Sequence, residues 1–178
     1  MGKLCADCNW IADYLDTIPD FPKKGVDFVS ISPLLKEPQI CKRVTQTLSE
    51  RYREREIEMI VGIESRGFIF GAFLAYELGL PFVMMRKPGK LPSELVKLDY
   101  ALEYGKDSLE LESDSVVEGS RVLVIDDLLA TGGTVQAACE LIEELGGEVE
   151  EVAVIIELEY LDGRDAVQHP VYSLVAVD

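Results

Sequence analysis

Val122-Leu-Val-Ile-Asp-Asp-Leu-Leu-Ala-Thr-Gly-Gly-Thr134 joins an apolar run, two adjacent carboxylates and a glycine turn flanked by hydroxyls. Val122 to Ile125 is the short, β-branched-rich kind of run that fills a strand buried on both faces of a parallel sheet. Asp126 and Asp127 then stand at its C-terminal end, where open α/β sheets bind ligands. Thr131, Gly132, Gly133 and Thr134 let the chain turn tightly while several backbone N–H groups converge on one anion at the start of the next helix. Two carboxylates beside a bare phosphate repel it, so they are expected to hold sugar hydroxyls or a cation bridging to them. The stretch therefore outlines a site for a phosphorylated sugar. It is not a Walker A loop: Gly2-Lys3 and Gly89-Lys90 are each followed by Leu, and Gly105-Lys106 by Asp107, where Ser or Thr is required.

Outward from this stretch, strand and helix alternate. Trp10, Ile11, Tyr14, Leu15 and Ile18 recur at helical spacing up to Pro19, Phe21 to Gly25 reads as a turn, and Phe28 to Leu35 reads as irregular. A helix is expected from about Gln39 to Arg53, a buried strand at Met59–Ile63, an apolar helix from Phe68 to Leu78 ended by Gly79, and a short strand at Phe82–Met85. Arg86 to Leu111 turns polar, with Pro88, Gly89, Pro92 and Gly105, and is read as a long mobile loop or hairpin. The strand Arg121–Ile125, a helix from Val135 to Leu145, the strand Val152–Leu158 and a last strand Val171–Val177 complete the pattern. Such alternation implies a mostly parallel sheet covered on both faces.

Composition narrows the partners. A net charge of -16 argues against nucleic acid or an anionic membrane surface, which need a basic face. Between Asp107 and Asp162 the only basic residue is Arg121, whereas Arg66, Arg86, Lys87, Lys90, Lys97 and Lys106 precede the acidic pair. A polyanionic ligand needs those cations gathered at its site. Cys5-x-x-Cys8 lacks a second such pair or paired histidines to complete a zinc site, so Cys5, Cys8, Cys41 and Cys139 are read as reduced, unligated thiols. No stretch approaches the ~20 apolar residues of a membrane span. A cytoplasmic protein is expected.

Two further stretches carry anion chemistry. In Glu64-Ser65-Arg66-Gly67 a hydroxyl, backbone N–H groups and a guanidinium meet at a helix start, which suits a diphosphate. Arg86-Lys-Pro-Gly-Lys-Leu-Pro92 holds three cations among rigid turn residues, which suits a highly charged leaving anion.

An apolar strand, two acids and Thr-Gly-Gly-Thr resemble the phosphoribosyl pyrophosphate motif of the type I phosphoribosyltransferases. The wording of Asp126 to Thr134 and of Ile63-Glu-Ser-Arg-Gly-Phe68 is similar to the adenine branch of that family, and Leu102-Glu-Tyr-Gly-Lys106 is similar to its catalytic loop. The resemblance runs from about Ile18 to the C-terminus. It implies an α/β fold with a mostly parallel central sheet flanked by helices, as one domain over residues 1–178. An N-terminal base-binding hood would span about 1–35 and a mobile catalytic loop about 86–111.

By the same resemblance, adenine and phosphoribosyl pyrophosphate react to give AMP and pyrophosphate, with Mg2+ held mainly through substrate oxygens. Asp126, Asp127 and Ala130 to Thr134, including Thr131, Gly132 and Gly133, bind the phosphoribosyl group. Glu64, Ser65, Arg66, Gly67, Lys87 and Lys90 bind pyrophosphate. Glu103, Tyr104 and Arg86 are the catalytic candidates: Glu103 manages the proton that the purine ring nitrogen sheds, Tyr104 covers the site, and Arg86 acts in trans in a homodimer. Adenine is expected among Asp27, Phe28, Val29 and Leu129, with Phe28 and Leu129 sandwiching the ring. Here the stretch reads Val26-Asp-Phe-Val-Ser-Ile-Ser-Pro33, so Val29 replaces the family's usual Arg and Ser30 its usual Asp. That departure leaves a second reading open, a silent or altered-specificity relative that binds phosphoribosyl pyrophosphate or nucleotides as a sensor.

Overall fold

A computed structural model describes residues 3–21, 23–92, 94–102 and 105–178. The chain runs through β1 (Lys3–Leu4), a 3-10 turn (Asn9–Tyr14), β2 (Asp16–Ile18), β3 (Phe28–Ser30), α1 (Ser32–Leu35), α2 (Pro38–Tyr52), β4 (Met59–Ile63), α3 (Gly67–Leu78) and β5 (Phe82–Met85). It continues through β6 (Leu95–Leu102), β7 (Gly105–Glu112), β8 (Arg121–Leu129), α4 (Gly133–Glu144), β9 (Glu148–Leu158), 3-10 turns at Glu159–Leu161 and Gly163–Ala166, and β10 (Val171–Val177). The main sheet has the order β1-β10-β9-β8-β4-β5, and each of these pairings is parallel.

Alternation along the central strands feeds two cores. Ile60, Leu123 and Ile125 face the layer holding Val44, Leu48, Phe70 and Leu74 of α2 and α3. Met59, Val61, Ile63, Val122 and Val124 face the layer holding Val135, Ala138, Leu141 and Ile142 of α4, with Leu109 and Leu111 of β7. A strand buried on both faces needs apolar residues at every position, which these runs supply. From β4 the chain crosses by α3 to β5 at one edge, whereas from β8 it crosses by α4 toward β9 and the other edge. The connections diverge between β4 and β8, and a crevice opens at that switch point.

The helix expected around Trp10 to Ile18 is not formed. A 3-10 turn ends at Tyr14, and Asp16–Ile18 pairs antiparallel with Phe28–Ser30, placing Ile18 opposite Phe28. Pairing with a distant segment outcompetes the helical spacing, and the supposedly irregular Phe28 to Leu35 becomes β3 and α1. The segment after Arg86 forms an antiparallel hairpin, Leu95 opposite Glu112 and Tyr100 opposite Asp107. The strand expected to end at Ile125 continues to Leu129, so the acidic pair lies within it. Cys5 and Cys8 are not free thiols: they form a disulfide with Cα atoms 5.6 Å apart. The cause is local, because the turn after β1 brings both side chains to one side, where Cys8 is buried against the N-terminal core. Among the described residues, no helix is long and apolar enough to cross a membrane.

Candidate active site

Two helix starts face each other across the β4/β8 crevice. Neither α3 nor α4 has a side-chain hydrogen bond capping its N-terminus, which leaves both helix starts open to an anion, while at α3 the Phe68 and Ile69 N–H groups donate to the Ser65 and Arg66 carbonyls at 3.3 and 3.1 Å. The approach is close at both. A Cβ at Gly67 would lie 2.7 Å from the Ile125 carbonyl, so only glycine lets α3 start against β8. Gly132, at φ 81°, turns the chain into α4 in a conformation that side chains resist.

The resulting cleft, ≈ 350 Å³, is lined by Glu64, Ser65, Arg66 and Lys87 on one side and by Asp126, Asp127, Leu128 and the 130–135 turn on the other. The structure thus brings together most of the residues assigned to the phosphoribosyl and pyrophosphate groups. Gly67 lies beneath the cleft at the start of α3, Gly133 begins α4, and Lys90 reaches in to pair with Glu64.

The cleft cations all face carboxylates. Arg66 Nε donates to Asp127 Oδ2 at 2.5 Å. Glu64 accepts from Arg86 Nε at 3.2 Å, from the Lys87 backbone N–H at 2.8 Å and from Lys90 Nζ. Lys87 Nζ pairs with Asp107 and donates to the Tyr100 hydroxyl at 2.9 Å, which lies 3.1 Å from Thr134 Oγ1. These contacts shift protonation. Lost hydration alone would raise Glu64, but the hydrogen bonds from Lys90, Lys87 and Arg86 hold it down at about 2. Asp107 is likewise lowered and Lys87 raised by their mutual contact, each against the effect of burial. Asp126 moves the other way: lost hydration, and then the neighbouring Asp127 carboxylate, push it well above the usual range. A carboxyl raised in this way resists carrying a second negative charge beside Asp127.

The hood brings Phe28 to the rim of the cleft, with the Arg66 guanidinium 5.3 Å from its ring centre. Asp27 is exposed, but the Val29 side chain is buried in the N-terminal core, so only its backbone could meet a base. Leu129 is 0% exposed and packs with Val124 and α4, so it cannot form the second face of a base sandwich. Leu128 lines the cleft instead. Strict alternation from Ile125 would place Leu129 on its face, but the phase slips at the acidic pair: Leu128 packs on the layer of Ile125 and Leu129 joins that of Val124. Glu103 and Tyr104 lie outside the described residues.

A phosphoribosyl transferase domain profile matches residues 30–178. An adenine phosphoribosyltransferase of Roseiflexus sp. (strain RS-1) is 51% identical over 166 residues, covering 93% of this chain and 96% of that protein. The crystal structure of the adenine phosphoribosyltransferase of Thermoanaerobacter pseudethanolicus superposes with a TM-score of 0.91 at 46% identity, covering 94% of this chain and 98% of the other. The Saccharomyces cerevisiae enzyme, solved with adenine and an iminoaltritol bisphosphate, gives a TM-score of 0.89 at 38% identity, covering 94% and 98% of the two chains. The chain belongs to the adenine phosphoribosyltransferase family.

Within an adenine phosphoribosyltransferase fold, the departures at Val29 and Ser30 are absorbed by packing. Val29 fills the core, and Ser30 Oγ accepts the Ser32 backbone N–H at 3.2 Å. Besides Leu128, the structure adds Tyr100, Asp107 and Glu110 to the residues that shape the cleft. Glu110 belongs to β7, which exchanges backbone hydrogen bonds of 2.9 and 2.8 Å with Arg86, and its carboxylate accepts the Gly89 N–H at 2.9 Å. Each sits in a stretch whose polarity was visible, but nothing in the linear order pairs Glu110 with Arg86 or Tyr100 with Thr134. Among the described residues no group of three or more His, Cys, Asp and Glu side chains could hold a metal ion by itself. A magnesium ion there would take most of its oxygens from the substrate and water.

Proposed function

We propose that this chain transfers the 5-phosphoribosyl group from phosphoribosyl pyrophosphate to adenine, giving AMP and pyrophosphate in purine salvage. The observation that carries the reading is the crevice between β4 and β8, where two uncapped helix starts flank the Asp126–Asp127 pair. The 5-phosphate is assigned to the amides and hydroxyls of 130–134, and the ribose hydroxyls to Asp126 and Asp127. Pyrophosphate is assigned to the α3 start and to Arg66, Lys87 and Lys90. Their present carboxylate partners support this, since each cation is already aimed into one small volume and exchanges one anion for another.

In the reaction, a ring nitrogen of adenine bonds to the anomeric carbon as the bond from that carbon to pyrophosphate breaks. The ring then releases a proton, which Glu103 is assigned to manage while Tyr104 covers the site. Phe28 and Leu128 are assigned the two faces of the base. Magnesium, when bound with the substrate, neutralises charge on the pyrophosphate. The protein supplies position and preset electrostatics.

The working unit is a homodimer in the cytoplasm, in which Arg86, paired here with Glu64 of its own chain, exchanges that partner for the other subunit's site. Support comes from exposed apolar side chains on α3 and β5, where Tyr76 is 89%, Met84 46% and Phe73 43% exposed. Such a patch ordinarily marks a contact surface.

The deciding experiment incubates purified protein with magnesium, phosphoribosyl pyrophosphate and each purine in turn. AMP formed with adenine, and no nucleotide from the other purines, is the expected result. Phosphoribosyl pyrophosphate bound without turnover of any base would overturn the catalytic reading. Sedimentation tests the dimer separately, where a monomer at assay concentration would remove it.

A further inference from the structure

The turn after β9 touches the phosphate turn backbone to backbone. A Cβ at Gly163 would lie 1.8 Å from the Ala130 carbonyl oxygen, and one at Gly132 would lie 2.2 Å from the Gly163 carbonyl oxygen. The two turns therefore share one van der Waals surface with no side chain between them to absorb a shift. Where the 163 turn sits fixes where 130–132 sit, in a protein interior that transmits displacement.

What holds the 163 turn is Arg164. Its guanidinium faces back onto the sheet, donating through Nε to Glu157 Oε1 at 2.9 Å, through Nη1 to the Val171 carbonyl at 2.6 Å, and through Nη2 to Ser173 Oγ at 2.8 Å and to Glu157 Oε2. The Ser173 hydroxyl completes the set by donating to Glu157. Glu157 and Ser173 are both buried, and Glu157 sits in register with Leu129, the residue before the phosphate turn. Burial would raise the Glu157 carboxyl, but the bonds from Arg164 and Ser173 outweigh it and lower it, so the pair is ionised. A planar fork that meets β9 and β10 at four acceptor atoms on three residues fixes direction as well as distance.

We propose that Arg164 is a positioning residue for the phosphoribosyl substrate, clamping the 163 turn to Glu157, Ser173 and Val171 so that the Gly163 carbonyl buttresses Gly132 and holds the phosphate-binding amides in place. Arg164 does not line the cleft. The inference rests on the assignment of the 5-phosphate to 130–134.

The test measures ribose 5-phosphate binding, KM for phosphoribosyl pyrophosphate, and kcat and KM for adenine at saturating phosphoribosyl pyrophosphate. The variants are Arg164→Lys, Gly163→Ala and, as a control on the site itself, Thr131→Val. Misplacement of the turn by a fraction of an ångström is expected to weaken ribose 5-phosphate and raise KM for phosphoribosyl pyrophosphate about tenfold or more in the first two, with the adenine parameters within about twofold. Should Arg164→Lys fold poorly, the double variant Arg164→Met/Glu157→Gln removes the clamp without leaving a buried charge and carries the same expectation. Ribose 5-phosphate binding lost in Thr131→Val but kept in the clamp variants overturns the positioning role alone. Binding kept in all of them overturns the phosphate assignment and the inference together. A parallel decline in both substrates' parameters would reduce Arg164 to a structural residue.

Discussion

Asp126 and Glu64 lie across the same cleft and are perturbed in opposite senses. For Glu64 the folded state holds the carboxyl below its unfolded value. Its contribution to stability is therefore full above about pH 4.5 and is lost as the pH falls toward about 2. Wild-type protein should lose more thermal stability over that interval than Glu64→Gln, and identical pH profiles would contradict the assignment. For Asp126 the folded value is raised, so ionisation costs the folded state stability as pH rises above the unfolded value. Asp126→Asn should melt higher than wild type at neutral pH while binding ribose 5-phosphate more weakly, a trade between stability and function common at binding sites. A lower melting temperature would mean that the carboxylate is a net stabiliser. The two adjacent leucines separate just as sharply. Leu129→Ala should cost about 2–5 kcal/mol of stability through the cavity it leaves, whereas Leu128→Ala should raise KM for adenine about tenfold at little cost in stability. Comparing melting curves and adenine kinetics of the two variants checks this, and the reverse pattern would restore Leu129 to the base site. Glu103→Gln should lower kcat on the order of 10²-fold or more and leave substrate affinity nearly unchanged, and equal turnover would remove Glu103 from the mechanism.

The β6–β7 hairpin is tied to the active site at both of its strands. Tyr100 on β6 meets Lys87 and Thr134, and Glu110 on β7 holds Arg86 and Gly89. The hairpin was legible as a polar segment rich in turn residues, but its pairing partners were not, because a period of two defines a strand and not its neighbour. Tyr100→Phe removes the hydroxyl that links hairpin to phosphate turn. Amide exchange over residues 95–112 should speed up while β8 and α4 stay protected, and unchanged exchange would show the hairpin to be held by its apolar face alone. The N-terminal segment taught the opposite lesson. Its apolar spacing fitted a helix, yet Asp16–Ile18 found a strand partner ten or so residues on, and tertiary pairing overrode a weak local preference.

Across the whole molecule, a net charge of -16 surrounds a site that must admit a polyanion. The cleft offers little free positive charge before substrate arrives, since Arg66, Arg86, Lys87 and Lys90 each face a carboxylate. The overall field should then slow the approach of phosphoribosyl pyrophosphate. Moderate salt should raise its kcat/KM roughly twofold by screening that repulsion, measured at fixed free magnesium. A steep fall with salt would mean that the local cations dominate. The parallel sheet and the placing of two glycine turns at the ends of its apolar strands were legible in linear order, because continuous apolar runs, an acidic pair and glycine turns mark strand ends at those spacings. Three things were decided only by the fold: which leucine lines the cleft, the ionic partner of every cleft cation, and the backbone contact between Gly132 and Gly163. Each depends on segments far apart in the chain being packed to within an ångström, and on a slip of strand phase at Asp126–Asp127, which residue order does not encode.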